Sequence, residues 1–133
     1  IVAAHDCGRV INPELAESQL HGGIILGLGY ALFERRERDA TLGRPLNLGL
    51  HEYKIPTHAD MPVIDARIIS VADAAANHVG AKGLAEPPII PTAPAIANAV
   101  FDAIGTQVAE LPLTPARVLE ALAGEAVGVL VGS

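Results

Sequence analysis

One carboxylate is flanked by residues that a solvated surface position does not need. Glu86 ends the run Gly80-Ala81-Lys82-Gly83-Leu84-Ala85-Glu86 and is followed by Pro87, Pro88, Ile89 and Ile90. Gly80 and Gly83 permit backbone angles and close approaches that a side chain would block. Pro87 biases Glu86 toward an extended backbone, and the proline pair stiffens the exit. A carboxylate held rigidly in apolar surroundings tends to a raised pKa and can accept a proton near neutral pH. Glu86 is therefore the candidate general base. The competing reading is a plain surface turn, which is what Gly- and Pro-rich segments usually form.

Other chemistries find less support. His51-Glu52 is followed by Tyr53-Lys54-Ile55, so the second histidine of a zinc-binding His-Glu-x-x-His helix is absent. His5, His21, His58 and His78 have no ligand spacing, and no metal bound directly by side chains is expected. Gly27-x-Gly29 is followed by Leu32 where a dinucleotide fingerprint needs glycine or alanine. There is no phosphate loop of the Gly-x-x-x-x-Gly-Lys type and no serine in a nucleophile elbow.

The elements that must position Glu86 can be read from punctuation and period. Ile1 to His5 reads as a strand and Asp6-Cys7-Gly8-Arg9 as a turn. Asn12 caps a long helix from about Pro13 to Arg36, with Pro13 at its first position. Leu15, Gln19, Gly22, Leu26, Gly29 and Phe33 share one face of it. Glycines at 22, 23, 27 and 29 cost roughly 1 kcal/mol each relative to alanine. Close approach of another backbone or of a ligand is the expected compensation. Asp39 to Gly49 reads as a loop or hairpin and Pro56 to Pro62 as an irregular crossing. Asp65 to Val71 reads as a strand. Thr92 is expected to cap a second helix to Ile104, with a stripe of Ile96, Val100 and Ile104. Thr114-Pro115 opens a third, with Val118, Leu119 and Leu122 inward and Gly124 ending it. Residues 1–125 then form one domain, and 126–133 an apolar tail that should dock on something.

The 133 residues are half hydrophobic but only 3% aromatic, so the core must be aliphatic. A net charge of −6 and the absence of tryptophan argue against nucleic acid and anionic membrane surfaces as partners. A single cysteine, Cys7, excludes an internal disulfide and fits a reducing, cytoplasmic setting. No apolar run reaches the length of a membrane span, and no signal-peptide pattern opens the chain. Ile1-Val2-Ala3-Ala4 reads like the interior of a buried strand, so the chain is expected to be a piece of something larger.

Four blocks, in order, resemble a known family. They are Asp6-Cys7-Gly8-Arg9-Val10-Ile11-Asn12-Pro13, Gln19-Leu20-His21-Gly22-Gly23 through Gly27-Leu28-Gly29-Tyr30-Ala31-Leu32, Lys82-Gly83-Leu84-Ala85-Glu86-Pro87, and Pro94-Ala95-Ile96-Ala97-Asn98-Ala99. Together they resemble the C-terminal part of the molybdopterin-binding large subunit of the xanthine dehydrogenase and aldehyde oxidase family, the molybdenum hydroxylases. One departure is Ala85, which stands where that family commonly has glycine. The family's upstream pterin-binding segments have no counterpart in the chain.

The resemblance implies an α+β fold, with helices packed on a mixed sheet. It implies a molybdopterin-type cofactor contacted by Gln19 and by Gly83, Leu84 and Ala85, with Glu86 as base. The implied reaction is oxidation of an aldehyde or N-heterocycle by water-derived hydroxylation. Iron–sulfur and flavin centres belong only on partner subunits, since one cysteine cannot ligate a cluster. The implied partners are the remainder of the molybdenum subunit and the electron-transfer subunits. The isolated chain is expected to be inactive, to hold no molybdenum tightly and to self-associate or take a partner. The alternative is a non-catalytic fragment or interaction domain that keeps the fold.

Overall fold

The computed structural model describes residues 1–124, so the expected apolar tail lies outside the described residues. The elements run β1 (Val2–Asp6), α1 (Pro13–Leu32), a single 3-10 turn (His58–Asp60), β2 (Asp65–Ile69), α2 (Ile89–Ile104) and α3 (Pro115–Leu122). The α+β class holds. Among the described residues the sheet is a parallel pair, β1 beside β2, with Val2 opposite Asp65 and Asp6 opposite Ile69. A parallel pair needs a long crossover, and α1 lies within it. The chain divides into two compact units. One comprises Ile1–Leu28 and Pro56–Ala93. The other comprises Gly29–Ile55 and the described residues from Pro94 onward.

In the first unit, Asn12 caps α1 as expected: its Oδ1 accepts from the Leu15 amide at 3.1 Å. The buried face differs from the expected one. Ala16, Leu20, Ile24 and Leu28 are buried, whereas Leu15 and Leu26 are exposed. Gln19 is exposed as well. Apolar residues occur all round this helix, so periodicity alone gives no direction. The small residues decide it. A Cβ on Gly23 would stand 2.9 Å from Pro88 Cβ and 3.2 Å from the Ala85 carbonyl oxygen. On Gly27 it would stand 2.6 Å from Thr92 Cβ and 3.1 Å from the Ile89 carbonyl oxygen. The compensation for these two helical glycines is thus the approach of segment 85–92. Gly22 faces open space.

Helix α2 begins three residues earlier than expected, and Thr92 does not cap it. Thr92 is buried and donates its hydroxyl to the Pro88 carbonyl at 2.8 Å, a bond to the preceding turn. Pro94 therefore sits inside the helix rather than in its first turn.

In the second unit, α1 stops at Leu32, four residues short of expectation. Phe33 and Glu34 amides both donate to the Gly29 carbonyl, at 2.8 and 2.9 Å. The Asn47 side chain then takes the departing backbone, donating to the Arg35 carbonyl at 2.6 Å and accepting from the Glu37 amide at 2.9 Å. Segment 38–45 closes as a hairpin, with Arg38 bridged to Pro45 and Gly43 at φ 66°. Tyr53 donates to Glu34 Oε2 at 2.8 Å, and that bond, with desolvation second, raises the phenol's pKa. Ile96, Val100 and Ile104 are half-buried along α2, as the stripe predicts. Thr114 caps α3, with Pro115 in its first turn. Here too one expectation turns over: Leu119 and Leu122 are exposed. The buried position is Arg117, whose guanidinium donates to the Pro112 carbonyl at 2.9 Å and to the Glu110 carboxylate. With both partners close to the start of α3, the arginine outcompetes the leucines for the inner face.

Candidate functional site

The first and third sequence blocks are stitched together. Gly8 and Ala81 form an antiparallel bridge. The Arg9 amide donates to the Gly80 carbonyl at 2.7 Å and the Lys82 amide to the Cys7 carbonyl at 2.8 Å. Gly80 also accepts from the Asp73 amide at 3.0 Å. Both glycines are needed. Gly8 lies at φ 67° and Gly80 at φ 78°, where other residues are strained. A Cβ on Gly8 would also collide with the Gly80 carbonyl oxygen.

Side chains finish the junction. Asn77 Oδ1 accepts from the Val79 and Gly80 amides at 3.0 and 2.8 Å, and its amide group donates to the Ala81 carbonyl at 2.8 Å. The Lys82 ammonium reaches Asp6 Oδ2 at 2.7 Å and Asp73 Oδ2 at 3.3 Å. Lys82, then the Gly8 amide, holds the Asp6 carboxyl below its ordinary value. The Ala75 amide, then Lys82, does the same for Asp73. Lys82 is raised in turn, chiefly by Asp6. The sequence marks Asp6 only as part of a turn motif, and it does not single out Asp73 or Asn77. The Asn-x-x-Gly spacing of Asn77 and Gly80 is the available signal for an Asx turn.

Beyond Lys82 the pinning stops. His5 Nε2 lies 3.4 Å from the Gly83 carbonyl oxygen. Among the described residues, the amides of Gly83, Leu84, Ala85 and Glu86 have no acceptor. Gly83, Ala85 and Glu86 are exposed, and a Cβ on Gly83 would meet nothing within 4 Å. Glu86 itself accepts the Ile89 amide on its carbonyl at 2.9 Å, three residues ahead of α2. The apolar enclosure expected for Glu86 is not formed by the described residues. Its near neighbour Pro88 turns inward onto Gly23 instead, and Glu86 is left exposed.

Gln19 and Leu84 do come together. Both line a pocket of about 220 Å³ in the first unit, with Cys7, Asn12, Ala81 and Lys82. Gly83, Ala85 and Glu86 do not line it. Among the described residues, no three His, Cys, Asp or Glu side chains gather as a metal site. No helix there is long and apolar enough to cross a membrane. Among the described residues the region offers a row of unpaired amide donors, a carboxamide and a carboxylate. The amides and the carboxamide are donors that fit an acceptor-rich pterin with its phosphate, which brings its own metal.

Residues 1–62 match the molybdopterin cofactor-binding domain family. Over 120 residues the chain is 45% identical to the xanthine dehydrogenase molybdenum-binding subunit of Escherichia coli O157:H7, covering 90% of this chain and 16% of that protein. Over 122 residues it is 34% identical to the aldehyde oxidoreductase molybdenum-binding subunit PaoC of Escherichia coli K12, covering 92% of this chain and 17% of that protein. Among solved structures, the Cu,Mo-CO dehydrogenase in its carbon monoxide reduced state superposes with a TM-score of 0.82 at 26% identity, covering 96% of this chain and 16% of that one. The fold is that of a molybdopterin-binding domain. The chain belongs to the xanthine dehydrogenase and aldehyde oxidoreductase family of molybdenum-binding subunits, and it spans about one-sixth of the length of the curated relatives it matches.

Proposed function

We propose that this chain supplies the catalytic base and one wall of the cofactor cradle to a molybdenum hydroxylase acting on an aldehyde or N-heterocycle. The observation that carries the reading is the segment Gly83–Glu86, whose amides are unpaired among the described residues and which is exposed at three of its four positions, held out by a pinned junction and ending in a carboxylate. Gln19 and the amides of Gly83, Leu84 and Ala85 would hold the pterin by hydrogen bonds. When bound, the cofactor supplies the two-electron oxidation and the water-derived oxygen; the hard chemistry is its own. Glu86 contributes a carboxylate oxygen that takes up a proton, and the rigid backbone at Pro87 and Pro88 fixes where that oxygen can stand. Water exclusion must come from protein beyond the described residues. Val63, at 87% exposure, and Leu48, at 81%, are apolar surface that fits the remainder of the subunit and electron-transfer partners.

The test is Glu86→Gln in the native protein that carries this sequence, with turnover normalised to molybdenum. Glutamine is nearly isosteric but cannot accept the proton, so turnover should fall roughly 100- to 10,000-fold with molybdenum content unchanged. Gln19→Ala should instead lower molybdenum content. A fully loaded Glu86→Gln protein running at the parent rate would sink the assignment.

A further inference from the structure

The clasp formed by Lys82 with two carboxylates has no part in the chemistry described so far, yet it sits where the pinned half of the loop ends. Lys82 is four residues ahead of Glu86. Its ammonium bridges Asp6, at the end of β1, to Asp73, in the connection after β2. These are separate stretches of chain, and Lys82 also ties its own amide to Cys7. From Gly83 to Ala85 no further backbone bond fixes the path among the described residues. On the far side, Pro88 rests against the Gly23 position of α1. The direction in which Glu86 leaves the loop is therefore set at two points, the clasp and the proline pair.

We propose that the Asp6–Lys82–Asp73 clasp is the positioning device for the base: it aims the segment Gly83–Glu86, and Lys82 acts through Glu86 without touching substrate. This rests on the assignment of Glu86 as base. Two carboxylates on one ammonium are more than a loop needs for cohesion, because backbone bonds from Arg9, Lys82 and Asp73 already join the loop to both stretches. The ammonium restrains the side-chain end of the loop, where those bonds do not reach. A displacement of about 1 Å at a reacting group can cost up to about 100-fold in rate.

The experiment uses the native protein with its partners and four variants: Lys82→Met, Lys82→Arg, Asp73→Asn and Glu86→Gln. Lys82→Met should lower kcat per molybdenum about tenfold, with KM and molybdenum content close to those of the parent. Lys82→Arg, which can still bridge two carboxylates, should recover most of the rate, and Asp73→Asn should fall between. Hydrogen exchange gives a readout without turnover: the Arg9 and Lys82 amides should exchange roughly two- to tenfold faster in Lys82→Met, with the Leu20–Leu28 stretch of α1 unchanged. A purely structural lysine would lower molybdenum content or protection in α1 while leaving the rate per molybdenum intact, and that result overturns the proposal. So does a Lys82→Met protein with parent kcat and parent exchange. If Glu86→Gln runs at the parent rate, the base assignment fails on its own. A Lys82→Met protein that still loses kcat per molybdenum then contradicts a clasp acting through Glu86.

Discussion

Segment 77–86 has two halves built on opposite principles. From Asn77 to Lys82, backbone and side-chain polar groups are paired repeatedly: the Asn77 side chain makes three bonds, the Gly80 carbonyl accepts two, and Lys82 bridges two carboxylates. From Gly83 to Glu86 the amides are unpaired among the described residues and three of the four residues are exposed. An unpaired amide costs little in water and much when buried without a partner. The second half is therefore stable only as surface or against a ligand that accepts its bonds. The contrast separates residues that build the site from residues that serve it, although both kinds lie within the same motif.

The contrast breaks most severely at Gly8. Gly8→Ala would force a side chain into φ 67° and into the Gly80 carbonyl oxygen. Left-handed strain costs about 1–3 kcal/mol and overpacking about the same again. A loss of roughly 2–6 kcal/mol in denaturant unfolding is expected. A midpoint equal to the parent's would mean that the two segments are not held as tightly as their hydrogen bonds indicate.

Much of the local structure is legible in the amino-acid sequence. Glycine at 8 and 80, Asn12 with Pro13, and the Thr114-Pro115 start each signal a local conformation, and local conformation is what sequence states most directly. Burial is harder to read. On α1 every side carries apolar residues, so the inward face is set by which residues are small enough for segment 85–92 to approach. On α3 a buried Arg117 displaces two leucines because its partners lie just ahead of the helix. The exposure of Glu86 escapes a sequence reading for a similar reason: its apolar neighbours along the chain turn onto Gly23, and proximity along a chain is not enclosure. Gln19 and Leu84 come together through tertiary packing, which the family resemblance anticipates and spacing cannot.

Acid and alkali should loosen the pinned half at its charges. Asp6 and Asp73 have folded pKa values below the ordinary 3.8. Their contribution is whole above that unfolded value and is lost as pH falls through the lowered folded one. Lys82 is shifted upward from 10.5, so its contribution is whole below that value and is lost as pH rises through the raised one. Exchange at the Arg9 and Lys82 amides, corrected for the intrinsic pH dependence, should therefore be slowest and flat between about pH 5 and 9, rising only at the extremes. All three groups are substantially solvated, so the change should be modest and should shrink in high salt. Salt-insensitive protection would mean that the clasp contributes through packing rather than charge.

The smallest effect on stability, and the most informative for function, belongs to Gly83→Ala. The added methyl meets nothing within 4 Å, and the backbone there is not left-handed. Stability should stay within about 0.5 kcal/mol of the parent. Loss of glycine's freedom in the unfolded chain can even raise it slightly. The same methyl stands in the open space beside a row of free amides, which is where a cofactor reading puts a ligand. Molybdenum per protein should therefore fall while the unfolding midpoint does not move. The two measurements pull apart only if the unpaired half is a binding surface. An unchanged midpoint with full molybdenum would leave Gly83 as ordinary loop and would shift the cradle toward Gln19 and the pocket it shares with Leu84.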